Sequence, residues 1–280
     1  MLPVERACEL MDVSRSAYYD WKMKPSSKRE KNNMILMPKI REVHAFSRGT
    51  YGSPRVYEEL KAQGVSAGRH RVARLMRLDG LKGKQRKRFT RTTDSNHKLA
   101  VAPNLLNQNF DVETLDSVWA SDITFIPTGQ GWLYLATTLD LCSRKIVGWS
   151  MSETIDRHLV MNALRMAIGQ RHPSRGLLHH SDRGSQYASY DFQKLLKVHG
   201  MVCSMSGKGN CYDNAVQESF YHTLKVELVH ERSYRTRAEA RTDIVDYIER
   251  FYNRVRRHSS LGYQSPASYE ALITARMSAS

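Results

Sequence analysis

The sequence predicts an α/β protein, a mixed sheet with flanking helices, preceded by small all-α modules. Two observations carry this. From residue 113 onward, apolar runs of strand character and runs of helical spacing follow in the order strand, strand, strand, helix, strand, helix, short strand, helix. Before that, the first 80 residues hold only short helical runs punctuated by glycine, proline and serine. Charge supports the division. Of a formal net charge of +15, residues 1–100 carry 23 Lys+Arg against 10 Asp+Glu, and the remaining 180 residues carry 20 against 18. A front this basic reads as a phosphate-binding surface, because neutralising phosphates releases condensed counterions.

Residues 1–24 contain a short helical pair. Ala7, Leu10 and Met11 supply an apolar face, Met11-Asp12-Val13 a turn, and Ser14 a cap for a second helix through Tyr19. The pattern A-x-x-L-x-V-S suits a helix-turn-helix or an ordinary helical hairpin. Residues 22–33 are polar, contain a proline and read as a linker. A second module spans 34–81. Its first helix, ending at Phe46, is expected to begin near Pro38. In its second, Ser53 caps, Pro54 takes the first helical position and Gly64 closes. Its third has Ser66 as candidate cap, Val72, Leu75 and Met76 as apolar set, and Gly80 as terminator. The other face of that helix carries Arg69, Arg71, Arg74 and Arg77, which is either a solvated face or a recognition helix for DNA. Residues 82–112 read as a basic linker. Its segment KGKQRKRFTR, with Arg86, Lys87 and Arg88 at its centre, lies along DNA or is a solvated tether. Thr92 to about Gln108 lacks periodicity and is expected to be extended or mobile.

Residues 113–275 form the α/β part. VWASDITFI, GWLYLATTLDLCSR and KIVGWSM are the three strands, joined by TGQG and by a break near Ser143. An amphipathic helix follows from Asp156 to Ile168, then the strand GLLHHSD, a helix from Tyr190 to Val198, a short strand at Met201–Ser204 and a helix through NAVQESFYHTLKVEL. In that helix Asn214 and Gln217 form a capping-box pattern. A last helix, Arg237 to Asn253, leads into the basic stretch Arg254-Val255-Arg256-Arg257-His258.

Three carboxylates stand where this fold can aim them at one point. Asp122 is in the first strand, Asp182 follows the fourth, and Glu218 lies in the helix after 35 intervening residues. An acid in a buried strand must cap a donor or hold a cation, since an unpaired buried carboxylate is costly. Three such acids can hold two divalent ions about 3.5–4 Å apart, the arrangement used for in-line phosphoryl displacement. Oxygen ligands and a phosphate substrate favour Mg²⁺, with Mn²⁺ as substitute. Glu218, His222 and Lys225 share one helical face.

The segments SDITFI, HHSDRGSQY, GNCYDNAVQESFYHTLK and YNRVRRHSSLGYQSP, in this order, resemble the DDE transposase and retroviral integrase superfamily. More narrowly they are similar to the second-reading-frame product of a bacterial two-frame insertion sequence, over roughly residues 35–275. The resemblance implies a ribonuclease-H-like sheet, which agrees with the strand and helix order, behind helix-turn-helix modules. It implies that Asp122, Asp182 and Glu218 are the metal-binding catalytic acids and that Lys225 contacts the DNA end. The activity implied is metal-dependent cleavage and strand transfer on double-stranded DNA, at the element's terminal repeats and a target. The protein would act as a homo-oligomer on DNA, with fusion to or partnership with the upstream-frame product. The zinc module found at the N-terminus of retroviral integrases is absent, because the four cysteines (Cys8, Cys142, Cys203, Cys211) form no C-x-x-C pair.

Other classes fare worse. No apolar run approaches the ~18 residues of a membrane span, and the N-terminus lacks a signal peptide's apolar core, so a cytoplasmic, nucleoid-associated protein is expected. His180, Ser181 and Asp182 cannot relay charge as a hydrolase triad, since neighbours on a strand face opposite ways. A tyrosine-type recombinase would draw on the tyrosines of YNRVRRHSSLGY, and a non-catalytic transposase-derived repressor would need no metal. A chelator separates both from the metal-dependent reading.

Overall fold

The computed structural model describes residues 3–23, 27–84, 101–207 and 211–279. The chain divides into two compact units, Met1–Gly83 and Lys84–Ser280. Arg86, Lys87 and Arg88 lie outside the described residues.

The first unit is helical. α1 (Val4–Leu10) and α2 (Arg15–Met23) make the expected pair, with the Ser14 hydroxyl accepting from the Ala17 amide at 3.2 Å. Its apolar face is not where the spacing put it: Cys8 is buried, whereas Leu10 and Met11 are 67 % and 76 % exposed. α3 (Lys28–Phe46) corrects a second expectation. Residues 28–33 are helix, not linker, and Pro38 sits inside α3 instead of starting it. The reason is a capping box: the Glu30 amide donates to the Ser27 hydroxyl at 3.2 Å, and the Ser27 amide donates to the Glu30 carboxylate at 2.7 Å. The Pro38 penalty of about 3 kcal/mol is offset by burying Leu36, Ile40 and Val43. α4 (Ser53–Ala62) and α5 (Arg69–Leu78) pack against that face through Val56, Leu60, Val72, Leu75 and Met76. Their caps are the backbone of Gly52 and Gly68, not the side chains of Ser53 and Ser66. Gly64 and Gly80 end the helices with φ of 74° and 70°, a region that favours glycine.

The second unit holds a five-stranded sheet in the order β3-β2-β1-β4-β5. β1 (Val118–Thr128), β2 (Gly131–Asp140) and β3 (Ile146–Ser152) form an antiparallel meander. After α6 (Arg157–Arg171), β4 (Leu178–Ser181) pairs parallel to β1. After α7 (Tyr190–Val198), β5 (Val202–Met205) pairs parallel to β4. This is the expected mixed sheet, and alternation along β1 gives it two different faces. Trp119 packs with Leu159, Leu164 and Phe192 of α6 and α7. Ala120 and Ile126 pack with Phe220 and Leu224 of α8 (Ala215–Glu227) and Ile244 of α9 (Arg237–Asp246). At Gly148 a Cβ would lie 2.2 Å from the Ala163 carbonyl oxygen, so only glycine lets α6 sit this close to β3.

Two segments depart from expectation. Residues 101–110 are not loose: Leu106 is buried, and the Leu105 amide donates to the Ser204 hydroxyl at 2.9 Å. The last long helix changes type, since α9 ends at Asp246 and Tyr247–Tyr252 continue as a π-helical turn. That turn buries Tyr247, Ile248, Phe251 and Tyr252. A final helix, α10 (Pro266–Ala279), returns Glu270 to the sheet, where it meets Lys145 at 2.6 Å and Arg171 at 2.9 Å. Among the described residues no helix is long and apolar enough to cross a membrane.

Candidate active site

β1 and β4 run side by side with Ser121 opposite Ser181. The next residue on each strand is an acid, Asp122 and Asp182. The parity of β1 turns Asp122 to the face that α8 covers, together with Ala120 and Ile126. Asp122 Oδ1 accepts from the Ile123 amide at 2.8 Å, and Asp182 Oδ1 accepts from the Gly184 amide at 2.9 Å. Gly184 serves close approach, not a left-handed turn: a Cβ there would lie 3.0 Å from Asp182 Oδ1.

α8 is fastened across this place by polar side chains whose partners are strand backbone. Gln217 is fully buried, and its Nε2 donates to the Ala120 carbonyl at 2.5 Å. One turn on, the Tyr221 hydroxyl donates to the Asp122 carbonyl at 2.5 Å and accepts from Thr137 Oγ1 at 2.8 Å. Asn214 Nδ2 donates to the Ser121 carbonyl at 3.2 Å. The expected capping box is therefore not formed, because Asn214 and Gln217 are spent on the sheet instead. Glu218 follows Gln217 and is exposed in the first turn of α8. The loop before α8 is held by Asp213, which accepts from Asn104, Gln108 and the Gly207 amide at 2.6–2.9 Å.

The acids act on one another. Burial, then the charge of Asp182, and further the charge of Glu218 push the Asp122 carboxyl well above the usual carboxylate range. The Ile123 amide and Lys225 oppose this. Among the described residues no three His, Cys, Asp or Glu side chains are gathered tightly enough to enclose an ion. The donor set itself suits a hard divalent cation: carboxylate oxygens alone, one of them in an environment that penalises its bare charge.

Lys225 is placed differently from expectation. It is 8 % exposed and close enough for its charge to act on Asp122, while burial lowers its own pKa. The shared face of Glu218, His222 and Lys225 thus runs from solvent into the protein along α8. On α5, Arg69 and Arg77 are exposed, whereas Arg71 is half-buried and donates to Asn33 Oδ1 at 2.8 Å. Arg74 is half-buried as well.

Comparison with known proteins agrees with this architecture. An integrase core domain matches residues 115–211 and a second integrase core segment matches 218–272, with an HTH-like domain at 31–89. The uncharacterised 31 kDa protein of insertion element IS600 from Shigella sonnei is 46% identical, over 94% of this chain and 96% of its own length. Transposase InsF for insertion sequence IS3A from Escherichia coli is 40% identical over 95% and 93%. The chain belongs to the insertion-sequence transposases. Among solved structures, the HTLV-2 integrase catalytic core domain in complex with magnesium is similar at 14% identity, a TM-score of 0.42 and coverage of 55% of this chain and 94% of that one.

In this transposase, two residues of the stretch that suggested a tyrosine recombinase, Tyr252 and Arg256, are buried in the core. Tyr252 is 3 % exposed, its ring edge-on to Phe220 at 4.7 Å and to His258 at 4.8 Å. Arg256 makes a bidentate pair with Glu227 at 2.8–3.0 Å, and both side chains are 6 % exposed. His180 is likewise engaged, bonded to Ser204 and Ser206 at 2.9 and 3.2 Å. The residues that sequence spacing missed are Gln217 and Tyr221. They stand four apart on one face of α8, a pattern that reads equally as ordinary amphipathic packing.

Proposed function

We propose that this transposase cleaves and joins DNA at the ends of its own insertion sequence, with Asp122, Asp182 and Glu218 as its catalytic, metal-holding acids. The observation that carries the reading is the register of β1 and β4, which pairs Ser121 with Ser181, the residues just before Asp122 and Asp182, under a helix fastened to β1 by Gln217 and Tyr221. The acids would hold Mg²⁺, with Mn²⁺ as substitute. Held by Asp122, Asp182 and Glu218, divalent ions would supply the Lewis acidity that makes water or a 3′-hydroxyl a nucleophile and eases departure of the 3′-oxygen. Hydrolysis and strand transfer are then one displacement with two nucleophiles. The chain's own part is to present three carboxylates from β1, the end of β4 and α8, to keep Asp122 where its charge is welcome only beside a cation, and to leave Glu218 open to the substrate.

DNA is held by the helical unit through Arg69, Arg71, Arg74 and Arg77 of α5, of which Arg69 and Arg77 are exposed, and by the basic run of Arg86, Lys87 and Arg88. The partners are the element's terminal repeats and target DNA. The protein assembles as an oligomer on them in the bacterial cytoplasm, at the nucleoid, with the upstream-frame product as a fusion or partner. Asp122→Asn, Asp182→Asn and Glu218→Gln test the reading. Each should abolish Mg²⁺-dependent cleavage and joining of a labelled element end while leaving DNA affinity nearly intact. A variant that cleaves at the wild-type rate removes its residue from the site.

A further inference from the structure

Tyr187 closes the turn that begins at Asp182, and nothing said so far employs it. The side chain is 1 % exposed, and among the described residues its hydroxyl has no hydrogen-bond partner. An orphan hydroxyl at such depth costs about 1–3 kcal/mol and asks for an explanation. The ring is not free to look for a partner elsewhere. Phe192 meets it edge-on at 5.3 Å, His179 lies 6.5 Å away, and the Tyr187 amide donates to the Gly184 carbonyl at 3.0 Å. The same turn presents the Gly184 amide to Asp182, so one short loop sets both an acid and a phenol. Burial and the charges of Asp122, Tyr221 and Asp182 disfavour its ionisation, so the phenol lies within electrostatic range of both acids. The Tyr221 hydroxyl is already committed to the Asp122 carbonyl. Tyr187 is thus an uncommitted donor buried on the turn that sets Asp182.

We propose that Tyr187 is a positioning residue whose hydroxyl donates to the Asp122–Asp182 carboxylate pair when that pair holds a divalent cation. The inference rests on the active-site reading above. A carboxylate bound to a cation through one oxygen still has lone pairs to satisfy, and partners of this kind hold a ligand at its working angle and typically change metal affinity 10–100-fold. In the metal-free protein the same hydroxyl contributes nothing to stability.

The test is Tyr187→Phe, which keeps the ring and removes only the hydroxyl. Thermal unfolding of the whole protein is followed against added MgCl₂ and MnCl₂, each variant read from its own metal-free baseline. The expected result is a metal-free melting temperature equal to or above wild type, and a metal concentration for half-maximal stabilisation raised at least about 10-fold. An unchanged metal requirement overturns the proposal. So does a lowered metal-free melting temperature without a change in metal requirement, since the hydroxyl would then be a structural group bonded to the protein or to a buried water. Asp122→Asn run alongside separates the two levels. If it abolishes metal stabilisation while Tyr187→Phe does not alter it, only the tyrosine's role fails. If it leaves metal stabilisation intact, the acids are not the metal site.

Discussion

Lys225 shows how a single burial changes what a side chain is for. Helical spacing alone puts it about 10 Å along α8 from Glu218, a distance suited to a neighbouring phosphate. Its near-complete burial and its charge acting on Asp122 give it a second task, that of lowering the cost of ionising that acid. Lys225→Met should therefore move the acid limb of the cleavage pH profile upward, because Asp122 loses the positive charge that draws its pKa down. Cleavage rates measured across pH at saturating DNA check this. A profile unmoved, with weaker DNA binding, would leave Lys225 as a phosphate contact only. His179 makes an opposite kind of prediction. Burial lowers its pKa from 6.5 to about 3, so the folded state keeps it neutral where the unfolded chain protonates it. Its contribution is intact above pH 6.5 and is lost as pH falls towards 3, with a slope of up to about 1.4 kcal/mol per pH unit for one proton. Urea unfolding from pH 7 to 4 should show this slope, and His179→Gln should reduce it.

At the level of elements, α8 is the part on which the site depends. Gln217→Leu leaves the Ala120 carbonyl without its amide and should cost about 1–3 kcal/mol in urea unfolding. Cleavage should fall further than stability accounts for, because Glu218 follows directly. Equal losses in both would make Gln217 a packing residue. The placing of Asp122 within a strand and of Asp182 just past another was legible from the sequence, since an acid inside an apolar strand and another just beyond a strand end stand out against their neighbours. The fastening of α8 was not. Asn214 and Gln217 have a spacing that reads as a helix cap, and only the strand beneath them decides that their amides go to Ser121 and Ala120. The start of α3 was legible in principle, as Ser27 and Glu30 are a capping box, but Pro38 masked it. The π-helical turn at Tyr247–Tyr252 has no local signature. It follows from burying four consecutive-turn side chains on one side.

Across the whole molecule, the proposed function divides chemistry and DNA holding between two units of different composition. Affinity for DNA should fall steeply with salt, with log K against log salt having a slope of about −0.9 per neutralised phosphate. Replacing Arg86, Lys87 and Arg88 by alanine should flatten that slope, as read by fluorescence anisotropy at several salt concentrations. An unchanged slope would make that run a spacer. The order of the parts in the chain was legible because charge and periodicity change together near residue 100.

The buried pair of Glu227 and Arg256 adds a dimension of time. Glu227 ends the helix that bears Glu218, and the residue that neutralises it is made 29 residues later. Until then the end of that helix carries an unmatched buried charge, a state that costs about 3–5 kcal/mol. Translation therefore delivers the arginine-bearing helices first, the three acids next and the clamp last. On the proposed reading, a chain broken off before Arg256 keeps the DNA-holding helices and lacks the clamp at the end of α8, so that faulty synthesis yields a silent protein, not a loose nuclease.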